Sequence, residues 1–195
     1  MFRVPFLVAI ALVIAFGGGI WSTRVALDAT IGFGAIKLGP WEAFPEAQTE
    51  KADPYAKSHR ANAGRILYAS AEGLSFTAQT DDSGQRLSGN CSYRLTGQTP
   101  TARFWTLFAS APNGQPPSAS ADLPVALNSR AVLRQPDGSL DITISQRARA
   151  GNWLAISGAG SFRLTLTLLD TPAAGSSGLI DLAMPGIQRI GCGNA

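Results

Sequence analysis

Hydrophobic positions are laid out along this chain in three different ways. The first is an unbroken run: after Arg3, residues Val4 to Trp21 carry no charge, and Gly17, Gly18 and Gly19 are the only interruption of large apolar side chains near its end. A bilayer core is spanned by about 20 apolar residues in helical form. A run that is apolar around its whole circumference has no face to offer to water. One N-terminal transmembrane helix is therefore expected, with Arg3 and the amino terminus on the cytoplasmic side and Trp21 at the opposite interface. A cleaved signal peptide shares the basic start and apolar middle, but needs small residues at spaced positions before the cut. Gly17 and Gly19 lie inside the run, and Leu27 puts a large residue two positions before Ala29. Residues 1–27 are read as a membrane anchor or signal segment, with the uncleaved anchor favoured. Either form exports the remainder.

The second pattern, over residues 28–65, has no sustained period. Val25 to Leu38 is apolar and Gly-rich, and prolines punctuate Gly39-Pro40-Trp41-Glu42-Ala43-Phe44-Pro45, which excludes regular helix. That segment reads as an extended connector whose Trp41 and Phe44 dock on a domain. Asp53-Pro54 is a helix start, with a capping carboxylate followed by proline at the first helical position. A short helix is predicted from Pro54 to about Asn62, with Gly64 as its stop.

From residue 66 to 195 the period is two, as in half-buried strands. Leu74, Phe76 and Ala78 alternate with polar residues, as do Cys91, Tyr93 and Leu95; Ala102 to Ala109 is dense enough for a central strand. Ala131 to Arg134 and Leu140 to Ile144 read as a hairpin about Gln135-Pro136-Asp137-Gly138, and Phe162 to Leu168 is the strongest strand. Asp82-Ser83-Gly84 supplies a turn, and Ala111 to Pro124 a long loop. Strands at such spacing predict an all-β domain, an antiparallel β-sandwich or jelly roll.

Composition refines this picture. The chain has 195 residues, enough for one domain plus the N-terminal segment. Its formal charge of +3 comes from scattered residues with no basic run, so nucleic acid is not an expected partner. His59 is the sole histidine and two cysteines lie far apart, so neither a nucleophile–histidine set nor a metal or cofactor site of usual spacing assembles. His59 reads as a solvent-facing residue of the short helix. Glu72, Asp81, Asp82, Asp137, Asp141 and Asp170 could include a catalytic pair, but their spacing singles out none. Arg103, Trp105, Asn152 and Trp153 are the candidate lining of a ligand pocket, weighed against core packing for the two tryptophans. Cys91 and Cys192 are expected to form a disulfide, because an exported domain meets an oxidising compartment. Two separate thiols, or a bridge between chains through Cys192, are the rival readings.

From Trp41 onward the chain resembles a bacterial envelope family with a domain of unknown function numbered 1214. The resemblance is carried by Gly39-Pro40-Trp41 through Pro45, Asp53-Pro54-Tyr55-Ala56, Asn90-Cys91-Ser92-Tyr93 with Thr99 through Leu107, Gly151-Asn152-Trp153-Leu154, and Leu164 through Pro172. The tail from Met184 through Cys192 adds to it. The resemblance implies an all-β sandwich or jelly roll, often behind a membrane segment or after a second domain of unknown function, and no established catalytic residues. Where relatives tend to have Arg-Leu-Tyr in the last long strand, this chain has Leu166-Thr167-Leu168-Leu169. The expectation is a single-pass protein of the bacterial inner membrane with its C-terminal domain in the periplasm, acting as a binding or structural module for an unknown envelope ligand or protein. The alternative is a hydrolase or lyase acting through carboxylates on envelope glycan or a small polar substrate.

Overall fold

The computed structural model describes residues 3–29, 35–45, 50, 52–62, 73–112, 114–115, 122–158, 160–172 and 182–193. Helix α1 (Arg3–Ala29) contains the apolar run. Its segment Arg3–Val25 is long and apolar enough to cross a membrane, and none of it is buried against the rest of the chain. Pro5 sits in the first turn, where its missing N–H removes no helical hydrogen bond. Helix α2 (Pro54–Asn62) begins as expected: Asp53 accepts the Ala56 N–H on its Oδ1 at 3.1 Å and the Lys57 N–H on its carbonyl at 3.0 Å. His59 lies on α2, and its side chain, like Glu72 and Gly64, is outside the described residues.

Among the described residues, ten strands form two sheets around one core. The larger is antiparallel throughout, in the order β1-β2-β3-β9-β5-β6. Its members are β1 (Ile36–Leu38), β2 (Trp41–Ala43), β3 (Gly73–Ala78), β5 (Phe104–Ser110), β6 (Ala126–Asn128) and β9 (Arg163–Leu169). The smaller has the order β10-β4-β7-β8, with β4 (Cys91–Gly97), β7 (Leu140–Ser145), β8 (Asn152–Ala155) and β10 (Gly186–Cys192). From the large sheet Phe76, Trp105, Leu107 and Leu166 point inward; from the small sheet Tyr93, Leu95, Ile142, Ile144 and Leu154 meet them. Inward positions alternate with outward ones along each strand, which is the geometry of a β-sandwich.

Three expectations need correction. The connector at 28–65 contributes a hairpin to the large sheet: Gly39 (φ 58°) and Pro40 make a two-residue turn that pairs Leu38 with Trp41, and β2 continues onto β3. Glycine at the first central position suits the twist of a hairpin; Trp41 is thereby fully buried and Phe44 half-buried. Second, Ala131 to Arg134 is not a strand. The turn at Gln135 forms, with the Gly138 N–H donating to the Gln135 carbonyl at 2.8 Å, but the Leu133 main chain bonds to the Asn152 side chain instead of to β7. Third, the sandwich is not wholly antiparallel, because β7 and β8 run parallel. Such connections usually take a dozen or more residues, whereas residues 146–151 suffice here. The Ser145 hydroxyl donates to the Arg147 carbonyl at 2.7 Å and Gly151 takes φ 84°, which turns the chain back sharply.

The tail, which carries too few apolar anchors to dock by burial alone, is a strand of the small sheet. Cys91 and Cys192 face each other across β4 and β10 and form a disulfide, with Cα atoms 3.9 Å apart. The Trp41 indole N–H donates to the Pro185 carbonyl at 2.7 Å, tying the entry of β10 to the large sheet.

Candidate functional site

The outer face of the small sheet carries a charged pair that stands partly open to solvent. Between inward Tyr93 and Leu95, alternation along β4 turns Arg94 outward. On the neighbouring β7, Asp141 points the same way ahead of inward Ile142. The two meet in a bidentate pair, Arg94 Nε donating to Asp141 Oδ1 at 2.9 Å and Nη2 to Oδ2 at 2.6 Å. The bonds from Arg94 hold the Asp141 carboxyl below its ordinary pKa, with partial burial opposing them. The same bonds raise Arg94 further. Both groups are ionised at neutral pH.

Around this pair opens a cleft of about 370 Å³. Thr143 of β7 and Ile190 of β10 line it, with Leu133 and Gln135 from one loop and Ala150 and Gly151 from another. Asn152 is at the junction. Its amide donates to the Leu133 carbonyl at 2.7 Å and the Asp141 carbonyl at 2.9 Å, and its Oδ1 accepts the Leu133 N–H at 2.8 Å. Asn152 is thus a positioning residue: it locks the 133–135 loop to the start of β8, and with it the shape of the opening.

Of the four residues expected to line a pocket, Asn152 alone among them lines this cleft. Trp105 is 1% exposed in the core, and its indole N–H finds no hydrogen-bond partner among the described residues. Arg103 belongs to the large sheet's entrance, with Asp170 at 3.6 Å and both side chains exposed. Trp153 is half-buried and donates from Nε1 to the Ser145 carbonyl at 3.1 Å. The four are split between two sheets. Arg94 and Asp141 were missed as a site; their signal was that each is a charged residue on a strand flanked by inward apolar neighbours.

Asp81, Asp82 and Asp137 brace the backbone. Asp81 is buried and accepts the Ser83 hydroxyl at 2.6 Å, the Ser83 N–H at 3.1 Å and the Gln85 N–H at 2.9 Å, with Arg189 Nη2 3.0 Å from Oδ2. Burial pushes its pKa up, but the Ser83 hydroxyl, the Gln85 amide and the Arg189 charge together reverse this and leave it below the ordinary value. Asp82 exchanges hydrogen bonds with Ile187 on the free edge of β10. Asp137 is closed on the Ser139 N–H and hydroxyl, which lower its pKa. No group of three His, Cys, Asp or Glu side chains is placed to hold a metal among the described residues.

A β-sandwich behind an exposed apolar helix, carrying an open polar cleft on one sheet, defines the class of molecule. A family model described as "Protein of unknown function (DUF1214)" matches residues 72–173, and the chain belongs to that family. No curated protein matches the chain. Among solved structures, the VPA0106 protein from Vibrio parahaemolyticus is similar with 18% identity and a TM-score of 0.57, over 70% of this chain and 34% of its own. An uncharacterized protein from Burkholderia cenocepacia is similar with 22% identity and a TM-score of 0.43, over 63% of this chain and 31% of its own. The chain spans about a third of the length of these structures. The likeness to the Vibrio protein supports the fold.

Proposed function

We propose that this protein is a membrane-tethered binding module: α1 crosses the bacterial inner membrane once, and the sandwich faces the periplasm, where it engages an envelope ligand or protein. The observation that carries the reading is the exposure of α1. An apolar helix of 23 residues, none of it buried along Arg3–Val25, matches a bilayer in length and chemistry. The disulfide is consistent with an oxidising compartment. The alternative, hydrolysis through paired carboxylates, is not favoured at the cleft. Asp141 is the carboxylate that lines it, and its pKa is lowered by Arg94, whereas a general acid needs a raised one.

The full-length protein is expected to sediment with membranes, to resist a carbonate wash and to retain its original N-terminus. A reporter fused after Ala195 should read as exported. A soluble species beginning near Ala29 would replace the anchor with a cleaved signal, and a cytoplasmic reporter would overturn the orientation.

A further inference from the structure

The two halves of β10 are held by different means. As far as Arg189 the strand is tied from several sides. Ile187 is fully buried. The Asp82 carboxylate accepts the Ile187 N–H at 3.0 Å, and the Asp82 N–H donates to the Ile187 carbonyl at 2.9 Å. Arg189 lies 3.0 Å from the Asp81 carboxylate, and it donates from Nη1 to Gln85 Oε1 at 2.5 Å and from Nη2 to the Arg86 carbonyl at 2.9 Å.

Beyond Arg189 the register shifts, and the chain goes on as Ile190-Gly191-Cys192-Gly193. None of these four residues is buried, and Ile190 is 60% exposed. The ladder to β4 persists, with Gly191 opposite Ser92 and Cys192 opposite Cys91, and the Gly193 N–H donates to the Asn90 carbonyl at 2.9 Å. Main-chain bonds alone hold an exposed terminal segment poorly, because nothing apolar is lost when it opens. Among the described residues, the side-chain tie of this half is the Cys91–Cys192 disulfide.

The bridge is also unevenly covered. Cys91 is buried at the start of β4, whereas Cys192 is exposed. An incoming thiolate therefore meets Cys192 first, and exposed disulfides are the ones that exchange.

We propose that the Cys91–Cys192 bridge is a redox latch: two-electron reduction by a dithiol frees residues 190–193 from β4 and leaves residues 186–189 in place. One thiolate of the reductant bonds to the Cys192 Sγ, the disulfide breaks, and its electron pair leaves on the Cys91 Sγ. The second thiolate of the reductant then displaces Cys192 and closes the reductant's own disulfide. The two protons shed by the reductant's thiols end on Cys91 and Cys192. Ile190 lines the cleft beside Arg94 and Asp141, so its departure opens that side. The effect on the cleft rests on the binding reading; the release of the strand does not.

The test is amide hydrogen exchange of the full chain in nanodiscs, resolved along β10 by fragmentation, before and after treatment with dithiothreitol. Reduction should speed exchange at residues 190–193 by about tenfold or more, with residues 186–189 and all of β9 unchanged. Reoxidation should restore the slow rates. The double variant Cys91→Ser and Cys192→Ser should behave as the reduced protein does, with or without dithiothreitol. Unchanged exchange at residues 190–193 in the reduced protein would overturn the proposal, since main-chain bonds would then suffice. Loss of protection in β9 as well would make the bridge a staple of the whole fold and overturn it too. So would a bridge that dithiothreitol opens only in denaturant. Failure of the protein to sediment with membranes breaks the parent reading and leaves the exchange result standing.

Discussion

Strands β9 and β10 are both seven residues long, yet they are held in opposite ways. In β9 every residue from Leu164 to Leu168 is buried, between β3 and β5. Even its outward Thr165 and Thr167 are covered, and the Thr167 hydroxyl shares a hydrogen bond with Ser75 at 3.0 Å. In β10, Ile187 is the one buried side chain. That strand lies at a sheet edge, with a register shift between Arg189 and Gly191. What holds it is a disulfide, the Asp81–Arg189 contact, the Asp82 bonds to Ile187 and the Trp41 bond to Pro185. Arg189 also packs over the Tyr93 ring, 5.5 Å from its centroid. An edge strand short of apolar area is retained by covalent and polar ties, and those ties occupy main-chain groups that would otherwise invite another strand.

Breaking the covalent tie should have the largest effect. Replacing Cys91 and Cys192 by serine opens a loop of sequence separation 101, worth about 4.7 kcal/mol on the chain-entropy model. Urea unfolding of the oxidised protein and the double variant measures it. A difference near zero would mean that the polar ties alone retain β10.

Next comes Leu166→Ala in β9. This fully packed side chain leaves a cavity, so a loss of about 3 kcal/mol is expected. Ile190→Ala in β10, at a side chain 60% exposed, should leave the unfolding midpoint where it was. Equal losses at the two sites would erase the contrast between the strands.

A smaller loss than at the disulfide or Leu166 belongs to Asp81→Asn, expected to cost about 2 kcal/mol at neutral pH by weakening a buried charge-assisted set of bonds. The sign with pH follows from the lowered pKa: the native state holds Asp81 ionised more readily than the unfolded chain does. Its contribution is therefore complete well above the unfolded value of 3.8 and is lost as pH falls through the lower folded value. Thermal midpoints from pH 7 to pH 2 should decline less steeply in the variant than in the parent. Parallel curves would remove Asp81 from the clamp.

Periodicity located β3, β4, β7 and β9, because each alternates apolar and polar residues over at least five positions, and a dense apolar run located β5. It missed the hairpin of β1 and β2, whose three-residue strands are too short to show a period. It also misread Ala131 to Arg134, where an apolar pair suggested a strand but the backbone is claimed by Asn152. The site was partly legible: Asn152 was named, while Trp105 proved to be core and Arg103 lies at the other sheet. Arg94 and Asp141 sit on alternating strands where each, read alone, is an ordinary outward charge.

What the amino-acid order determined without help is local. An uncharged apolar run specifies a helix that must find an apolar medium, and a two-residue period specifies strands with one inward face. A capping aspartate before proline specifies where α2 begins. The tertiary structure decided which faces meet. Arg94 and Asp141 are 47 positions apart, and Leu133 and Asn152 are 19 apart. Alternation fixes the face on which a side chain stands but not its strand's neighbours, since pairing and register depend on the packing of the whole core. The cleft lies beside the six-residue return that brings β8 parallel to β7, with Leu154 of β8 packed in the core.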